Sequence, residues 1–478
     1  LDKLFANSLK IAVSSSSVKI IGLLLTPIIT RLYSPEQYGD FGLLMTIVAL
    51  FQPLTGGKLE NAIIVSKNQA EGYTLYNASI YLSLLFVGFS LLLGVLLKGF
   101  GIIFPVSDFN LFVLAPLLLF FMALFNSNKL MLNNLEKYNK MAVLNVSSGI
   151  STSLLRLCFG LVDSLKNFGL VLSEIWHKAL YVIMSQRAIM RSCPSSVSFF
   201  SPNLNQTWNV VKAYKRFPLY EVPLGLVVSL TSRFTVFLLI GLYSKTILGY
   251  FIFSEQMLRK FVDLFSTSIG EVFYKKASIS GQEEMSRFTI DLFTKLLVIG
   301  YLFFSPVLFW GKELFSFAFG DEWGKAGIFS QILSPFLFAV FVFKPIQSIY
   351  RLVGRQDVQL FSGFVQMILS IISIYIGWYF FESDEYSIVF FSITNSSIIY
   401  FNIYYVLRKS KNDLKKLLMS RGKIVLFLFT ASLPYIIGIF YVTNSIPMII
   451  AQECISVGIL GLLFFHYDKE NFKQLVKF

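Results

Sequence analysis

The sequence is poor in the residues that build catalytic and metal centres. Two histidines, His177 and His466, are too few for a zinc site of their own. Three cysteines, Cys158, Cys193 and Cys454, are odd in number and far apart, which excludes a disulfide framework. No Gly-x-x-x-x-Gly-Lys-Ser/Thr run occurs, so a nucleotide-cradling P-loop is absent. The nearest stretch, Gly320-Asp-Glu-Trp-Gly-Lys325, is one residue short of it. Charge is scarce as well: 14% of residues are Asp, Glu, Lys or Arg, against about 25% in a typical globular protein. Long polar loops are missing, and no external loop has room for a domain.

What the chain has in quantity is apolar surface. Of its 478 residues 55% are apolar, with 51 Phe and 23 Tyr. That length would allow about two to four soluble domains, but a soluble fold cannot cover so many aromatics with so few charges. Disorder and collagen are excluded by the same composition. The expected class is an all-α polytopic membrane protein. The net charge of +14 would suggest nucleic acid in a soluble chain; here its distribution follows a bilayer, and no nucleic-acid partner is expected.

A membrane helix needs about 20 mostly apolar residues. Fourteen such runs are read, near 10–30, 41–64, 73–97, 109–128, 141–162, 168–189, 218–241, 248–272, 288–310, 327–349, 358–380, 386–407, 424–442 and 446–467. The first follows Lys3 and Lys10 without a small-residue cleavage site, so it reads as a span rather than a signal peptide. With the amino terminus placed inside, 27 of the 41 Lys and Arg fall in inside segments or close to the inside ends of spans. Only 6 fall outside and 8 lie deeper within spans. That bias satisfies the positive-inside rule and puts both termini in the cytoplasm. The cytoplasmic stretch Trp208-Asn-Val-Val-Lys-Ala-Tyr-Lys-Arg-Phe217 reads as a basic amphipathic helix on the anionic inner leaflet, and Arg408 to Lys423 reads likewise.

The turn Leu32-Tyr-Ser-Pro-Glu-Gln-Tyr-Gly-Asp-Phe41 is repeated as Leu242-Tyr-Ser-Lys-Thr-Ile-Leu-Gly-Tyr-Phe251, with five of ten positions equal. Each turn joins the first and second helix of a six-helix block. The reading is therefore two pseudo-symmetric six-helix lobes, 1–204 and 205–410, with two further helices in 411–478. Six is even, so the lobes share one orientation, a plan used by transporters whose site lies between parallel repeats.

Charges inside a bilayer cost roughly 2.5–3.5 kcal/mol each on insertion scales and normally face a cavity or a partner. Lys19 shares a helical stripe with Ser8, Ser15, Gly22 and Thr26; Arg156 shares one with Asn145, Ser148 and Thr152; Arg233 with Glu221, Gly225 and Ser229. None of these three cations has a nearby acid on its own helix that could neutralise it, so a water-filled cavity is expected around them. Glu174 and Lys178 are one helical turn apart, as are Glu255, Arg259 and Asp263, with Lys260 beside them. Such pairs also lower the insertion cost without any ligand. Lys344, near an inside end, is expected to snorkel. The expected substrate-binding cations are Lys19, Arg156, Lys178, Arg233, Arg259 and Lys260, with Glu174, Glu221, Glu255 and Asp263 as their acidic partners. A cationic cavity suits an anion, and the guanidinium fork suits phosphate. No catalytic residues and no metal ligands are assigned.

Several stretches resemble bacterial polysaccharide repeat-unit flippases of the O-antigen type, in the multidrug/oligosaccharidyl-lipid/polysaccharide exporter superfamily. They are Ile29-Thr-Arg-Leu-Tyr-Ser-Pro-Glu-Gln-Tyr-Gly-Asp-Phe41, Leu59-Glu-Asn-Ala-Ile-Ile-Val65, Phe217-Pro-Leu-Tyr220, Gly270-Glu-Val-Phe-Tyr274 and the series Trp323, Gly327, Pro335, Pro345, Gly354-Arg-Gln356. The resemblance implies two six-helix lobes around a central cationic cavity and alternating access. It implies an oligosaccharide on undecaprenyl diphosphate as substrate, for O-antigen, lipopolysaccharide, capsule or a related polysaccharide. It implies the bacterial plasma (inner) membrane as the location. Membrane lipids, a glycan polymerase and chain-length machinery are the partners that go with it. No cofactor is expected; a proton or another ion, or the membrane potential, would drive transport. The alternatives are a multidrug/cation antiporter of the same superfamily, which would favour an acidic cavity, and a membrane glycan polymerase, which would need a large external loop.

Overall fold

The computed structural model describes residues 17–99, 113–193, 204–410, 426–437 and 446–467, and all of their regular structure is helical. Ser8, Ser15, most of the basic stretch Arg408–Lys423 and the ends of the thirteenth expected span lie outside the described residues. Nine described helices are long and apolar enough to cross a membrane, or ten if one bent pair counts as a single span. The expected fourteen is thus not reached by that test. Two of the missing spans, over 168–189 and 248–272, do form helices, but their charged and polar side chains keep them below it. The chain divides after Gly249 into two compact units.

The first unit holds α1 (Ser17–Thr30), α2 (Pro35–Thr55), the single turn α3 (Leu59–Ala62), α4 (Gln69–Gly99), α5 (Ala115–Asn134), α6 (Tyr138–Gly160), α7 (Asp163–Met190), α8 (Leu204–Ala213) and α9 (Val222–Leu242). A capping box starts α2. Ser34 Oγ accepts from the Gln37 amide at 3.3 Å, Gln37 Oε1 accepts from the Ser34 amide at 2.9 Å, and Pro35 opens the first turn. The helix does not run to residue 64 as expected. Gly57 and Lys58 take positive φ of 60° and 58°, and the chain turns by 56° into α3 and the 3₁₀ turn Ile63–Val65. Pro53 lies inside α2, but the break falls at these left-handed residues, where glycine is tolerated and lysine is strained.

Buried polar groups tie α4, α5 and α7 together. Asn128 Oδ1 accepts from the Tyr76 hydroxyl at 2.6 Å, and Asn128 Nδ2 donates to Ser185 Oγ at 2.7 Å. Tyr73, Leu75, Met131, Leu144 and Tyr181 close a core around them. In an apolar medium such bonds are the specific adhesive between helices.

The sequence repeat has a spatial counterpart. Gly39 and Gly249 are the eighth residues of the two repeated turns. A Cβ on Gly39 would overlap the Lys245 carbonyl, and one on Gly249 would overlap the Pro35 carbonyl. Lys245 and Pro35 are themselves equivalent positions, both fourth in the repeat. The contact is therefore reciprocal: each glycine admits the backbone of the other turn. Asp40 and Lys245 pair beside it at 3.0 Å.

The second unit begins within α10 (Lys245–Ile279) and continues with α11 (Gln282–Phe319), α12 (Gly324–Ile346), the turn α13 (Ile349–Leu352), α14 (Gln356–Phe381), α15 (Asp384–Lys409), α16 (Leu426–Ile437) and α17 (Ile446–Tyr467). Its core packs Phe253 against Trp323 with ring centres 4.2 Å apart. Helix α11 kinks at Trp310, whose φ and ψ are −128° and 25°, one turn after Pro306. Gln331 of α12 donates Nε2 to the carbonyls of Leu308 and Phe309 there, at 3.3 and 3.0 Å. The last two helices attach to the same kinked helix. Trp310 Nε1 donates to Gln452 at 2.7 Å, and Tyr301 shares hydrogen bonds with Ser432 and Ser456 at 3.2 and 3.0 Å.

Candidate functional site

In the first unit the strongest assembly of charge spans α6 and α7. Arg156 Nη2 lies 3.2 Å from Glu174 Oε2, and Lys178 Nζ lies 3.1 Å from Glu174 Oε1. The carboxylate is thus shared between two cations, and the group keeps a net positive charge. Aromatic faces receive the remainder: Lys178 stands 4.5 Å from the Phe125 ring centre and Arg156 5.8 Å from that of Phe41. The His177 ring meets Phe125 edge-on. Arg156 Nε is buried and has no hydrogen-bond partner. Its side chain is nonetheless 28% exposed, against 14% for Glu174 and Lys178. A guanidinium with an unused donor on a side chain that is partly exposed can still bind an anion.

The helix ends fix this group. Tyr33, in the turn before α2, donates its hydroxyl to the Arg156 carbonyl at 2.8 Å. Burial pushes the Tyr33 phenol up to about 12, so it remains a donor at any physiological pH. Two further members of the expected Arg156 stripe, Ser148 and Thr152, are structural. Ser148 and Thr152 are buried, and their hydroxyls donate back to Leu144 and Ser148 carbonyls at 2.6 and 2.7 Å.

The expectation that Arg156 lacks an acid holds only within its own helix; Glu174 comes from the neighbouring one. Lys19 and Arg233 are exposed and pair with no other described residue. Glu221 does not serve a cation: it accepts from Asn61 Nδ2 at 2.7 Å. Close by, Glu60 is only 5% exposed, and its Oε2 has no partner. This residue sits at the break between α2 and α3 and was not among the expected polar groups. The signal was present in the sequence: an acid next to Gly56-Gly-Lys58 inside an otherwise apolar run.

In the second unit Arg259 Nε bonds Glu255 Oε1 at 2.8 Å, and the guanidinium lies 6.0 Å from the Phe336 ring centre. The expected three-member ladder is divided. Asp263 forms its ion pair with Lys344 of α12, so Lys344 does not stand apart to snorkel. Lys260 is half-buried beside Arg259. The two cation sites share a construction: a guanidinium held by a glutamate, with an aromatic face behind it. Among the described residues no group of His, Cys, Asp and Glu is arranged to hold a metal ion.

An all-helical chain with this architecture has solved counterparts. The lipid II flippase MurJ, in an inward closed conformation, superposes with a TM-score of 0.68 at 14% identity, covering 96% of this chain and 99% of MurJ. An inward-facing multidrug resistance MATE transporter of the MOP superfamily gives 0.59 at 14% identity, covering 85% and 99%. A Pyrococcus furiosus MOP superfamily transporter, described as having a binding pocket of reverse polarity that suggests a different function, gives 0.54 at 13% identity, covering 85% and 96%. The fold is therefore the multi-pass membrane fold of MurJ and the MATE proteins. The model of the polysaccharide biosynthesis protein family matches residues 28–328, well over half of the chain, and the chain belongs to that family. No curated protein matches it in sequence.

Proposed function

We propose that this chain is a flippase that moves an oligosaccharide linked to undecaprenyl diphosphate from the cytoplasmic to the outer leaflet by alternating access. The observation that carries the reading is the Arg156–Glu174–Lys178 group across α6 and α7: net positive, mostly buried, with an unsatisfied guanidinium donor. A diphosphate is the anion whose charge and paired oxygens suit it. Family membership in polysaccharide biosynthesis and the fold shared with a lipid II flippase support the same substrate class. The basic character of both cation sites speaks against the multidrug/cation antiporter.

The proposal takes in the two six-helix lobes, 1–204 and 205–410, the added helices in 411–478, the plasma membrane location and cytoplasmic termini. The substrate cations are Arg156, Lys178 and Arg259 first, with Lys19, Arg233 and Lys260 as further contributors. A glycan polymerase would take the product on the outer side. The driving force is an ion gradient or the membrane potential. If the protein's cations stay in place while two negative charges move outward, the potential contributes about 2.3 kcal/mol per charge per 100 mV, or about 4.6 in total.

Cells lacking the protein distinguish the readings. A flippase leaves complete lipid-linked units facing the cytoplasm. A polymerase leaves single units outside, unpolymerised, and that result would overturn the proposal.

A further inference from the structure

Helix α8 and the turn that follows it have two unlike faces. One is packed. Val210, Val211, Tyr214 and Phe217 lie against the core of Leu59, Tyr73 and Tyr76, and the Tyr214 hydroxyl donates to Glu71 Oε2 at 3.0 Å. The other is open. Trp208 is 67% exposed, and Lys212, Lys215 and Arg216 are exposed as well. Trp208, Lys212 and Lys215 recur at helical spacing and form one stripe. None of the three cations pairs with another described residue. Just beyond them Leu219 and Tyr220 are 61% and 71% exposed at the start of the apolar α9 segment.

This order of side chains is specific. Apolar groups lead into a membrane helix, three unpaired cations come just before them in the chain, and an indole stands one helical turn before the first cation. An indole prefers the headgroup level of a bilayer, where its ring is in the apolar boundary and its N–H is wet. Lysine and arginine at that level attract anionic lipid. A soluble acidic partner or a nucleic acid would answer the charge but not the exposed apolar Leu219 and Tyr220. We infer that the face made by Trp208 and Lys212 of α8 with Lys215 and Arg216 of the turn after it binds the phosphate headgroups of anionic phospholipids at the bilayer surface. The same stretch is tied to Glu71 through Tyr214 and to Asn61 through Glu221. Headgroup binding thus also fixes the entry into α9.

The inference does not depend on the transported substrate, and its test uses none. The full chain is reconstituted in vesicles of phosphatidylcholine and phosphatidylglycerol, with bromine carried on the chains of one lipid or the other. Quenching of tryptophan fluorescence reports which lipid lies next to the indoles. The expected result is stronger quenching by brominated phosphatidylglycerol than by brominated phosphatidylcholine, with the difference shrinking as salt is added. That preference is lost in Lys212→Gln/Lys215→Gln/Arg216→Gln. It is lost also in Trp208→Phe, which removes the reporting indole and leaves the cations. Equal quenching by the two lipids in the natural sequence overturns the inference. So does a preference that survives unchanged in either variant.

Discussion

Arg156 and Arg259 share a chemistry that their helices alone do not reveal. Each is held by one glutamate and backed by one aromatic ring, and each keeps donors in reserve. Arg156→Ala is expected to abolish glycan export while the protein still reaches the membrane in normal amount; Arg156→Lys restores export only in part, because the ammonium keeps charge but not the planar fork. Immunoblots of membranes beside glycan staining of whole cells check both. Loss of the protein itself in Arg156→Ala would instead mark the cluster as structural. Arg259→Ala follows the same pattern. Its control is the Glu255→Gln/Arg259→Gln pair, since neutralising Asp263 would strand Lys344. Normal export by that neutral pair would remove Arg259 from the site. Glu60 behaves oppositely. Its buried Oε2 is unpaired, and a buried carboxylate with one oxygen unsatisfied is a burden on the fold. Glu60→Gln is expected to unfold at the same or higher temperature in detergent, and a marked fall would contradict this.

At the scale of elements, close helix approach and helix breaks determine the architecture. The reciprocal Gly39–Gly249 contact leaves no space for a methyl group against either backbone carbonyl. Gly249→Ala should therefore destabilise by about 1–3 kcal/mol, as overpacking does. Gly88→Ala, inside α4 where a Cβ meets nothing within 4 Å, should leave stability unchanged or raise it by up to about 1 kcal/mol, because alanine suits a helix interior better than glycine. Thermal unfolding of both proteins in the same detergent compares them, and equal effects would contradict the packing argument. Gln331→Leu leaves the Leu308 and Phe309 carbonyls at the α11 kink without their donor. One of these bonds is exposed and the other partly buried, so their loss should cost about 0.5–1.5 kcal/mol in the same unfolding measurement. The helices themselves were legible in the sequence, because runs of apolar residues between turn residues survive any arrangement of the bundle. The repeat was legible too, down to the glycine at its eighth position. Interhelical pairing was not. Spacing along one helix shows Glu174 with Lys178 but cannot show Arg156 arriving from α6, and it assigns Asp263 to Arg259 when Lys344 of α12 takes it. The break after Thr55 was hidden for a related reason: Gly56 and Gly57 signal a possible turn, while the left-handed Lys58 that completes it carries no sequence mark.

For the whole molecule the account rests on vectorial movement of a lipid-linked anion through a basic, helical membrane protein. Composition alone gave the membrane class, since 55% apolar residues and 14% charged ones leave no other home for 51 Phe. Orientation is a separate matter. Reporter fusions after residue 420 and at the carboxyl end are both expected to read cytoplasmic, and a periplasmic carboxyl end would require a different number of spans. The most direct measurement is flipping itself. The purified chain is reconstituted in liposomes with a fluorescent undecaprenyl-diphosphate oligosaccharide in one leaflet, and its arrival in the other is followed under an imposed potential or ion gradient. The account predicts movement faster than in empty liposomes, dependent on at least one of those driving forces, and lost in Arg156→Ala. Movement no faster than in empty liposomes, or movement indifferent to potential, gradient and Arg156, would contradict it.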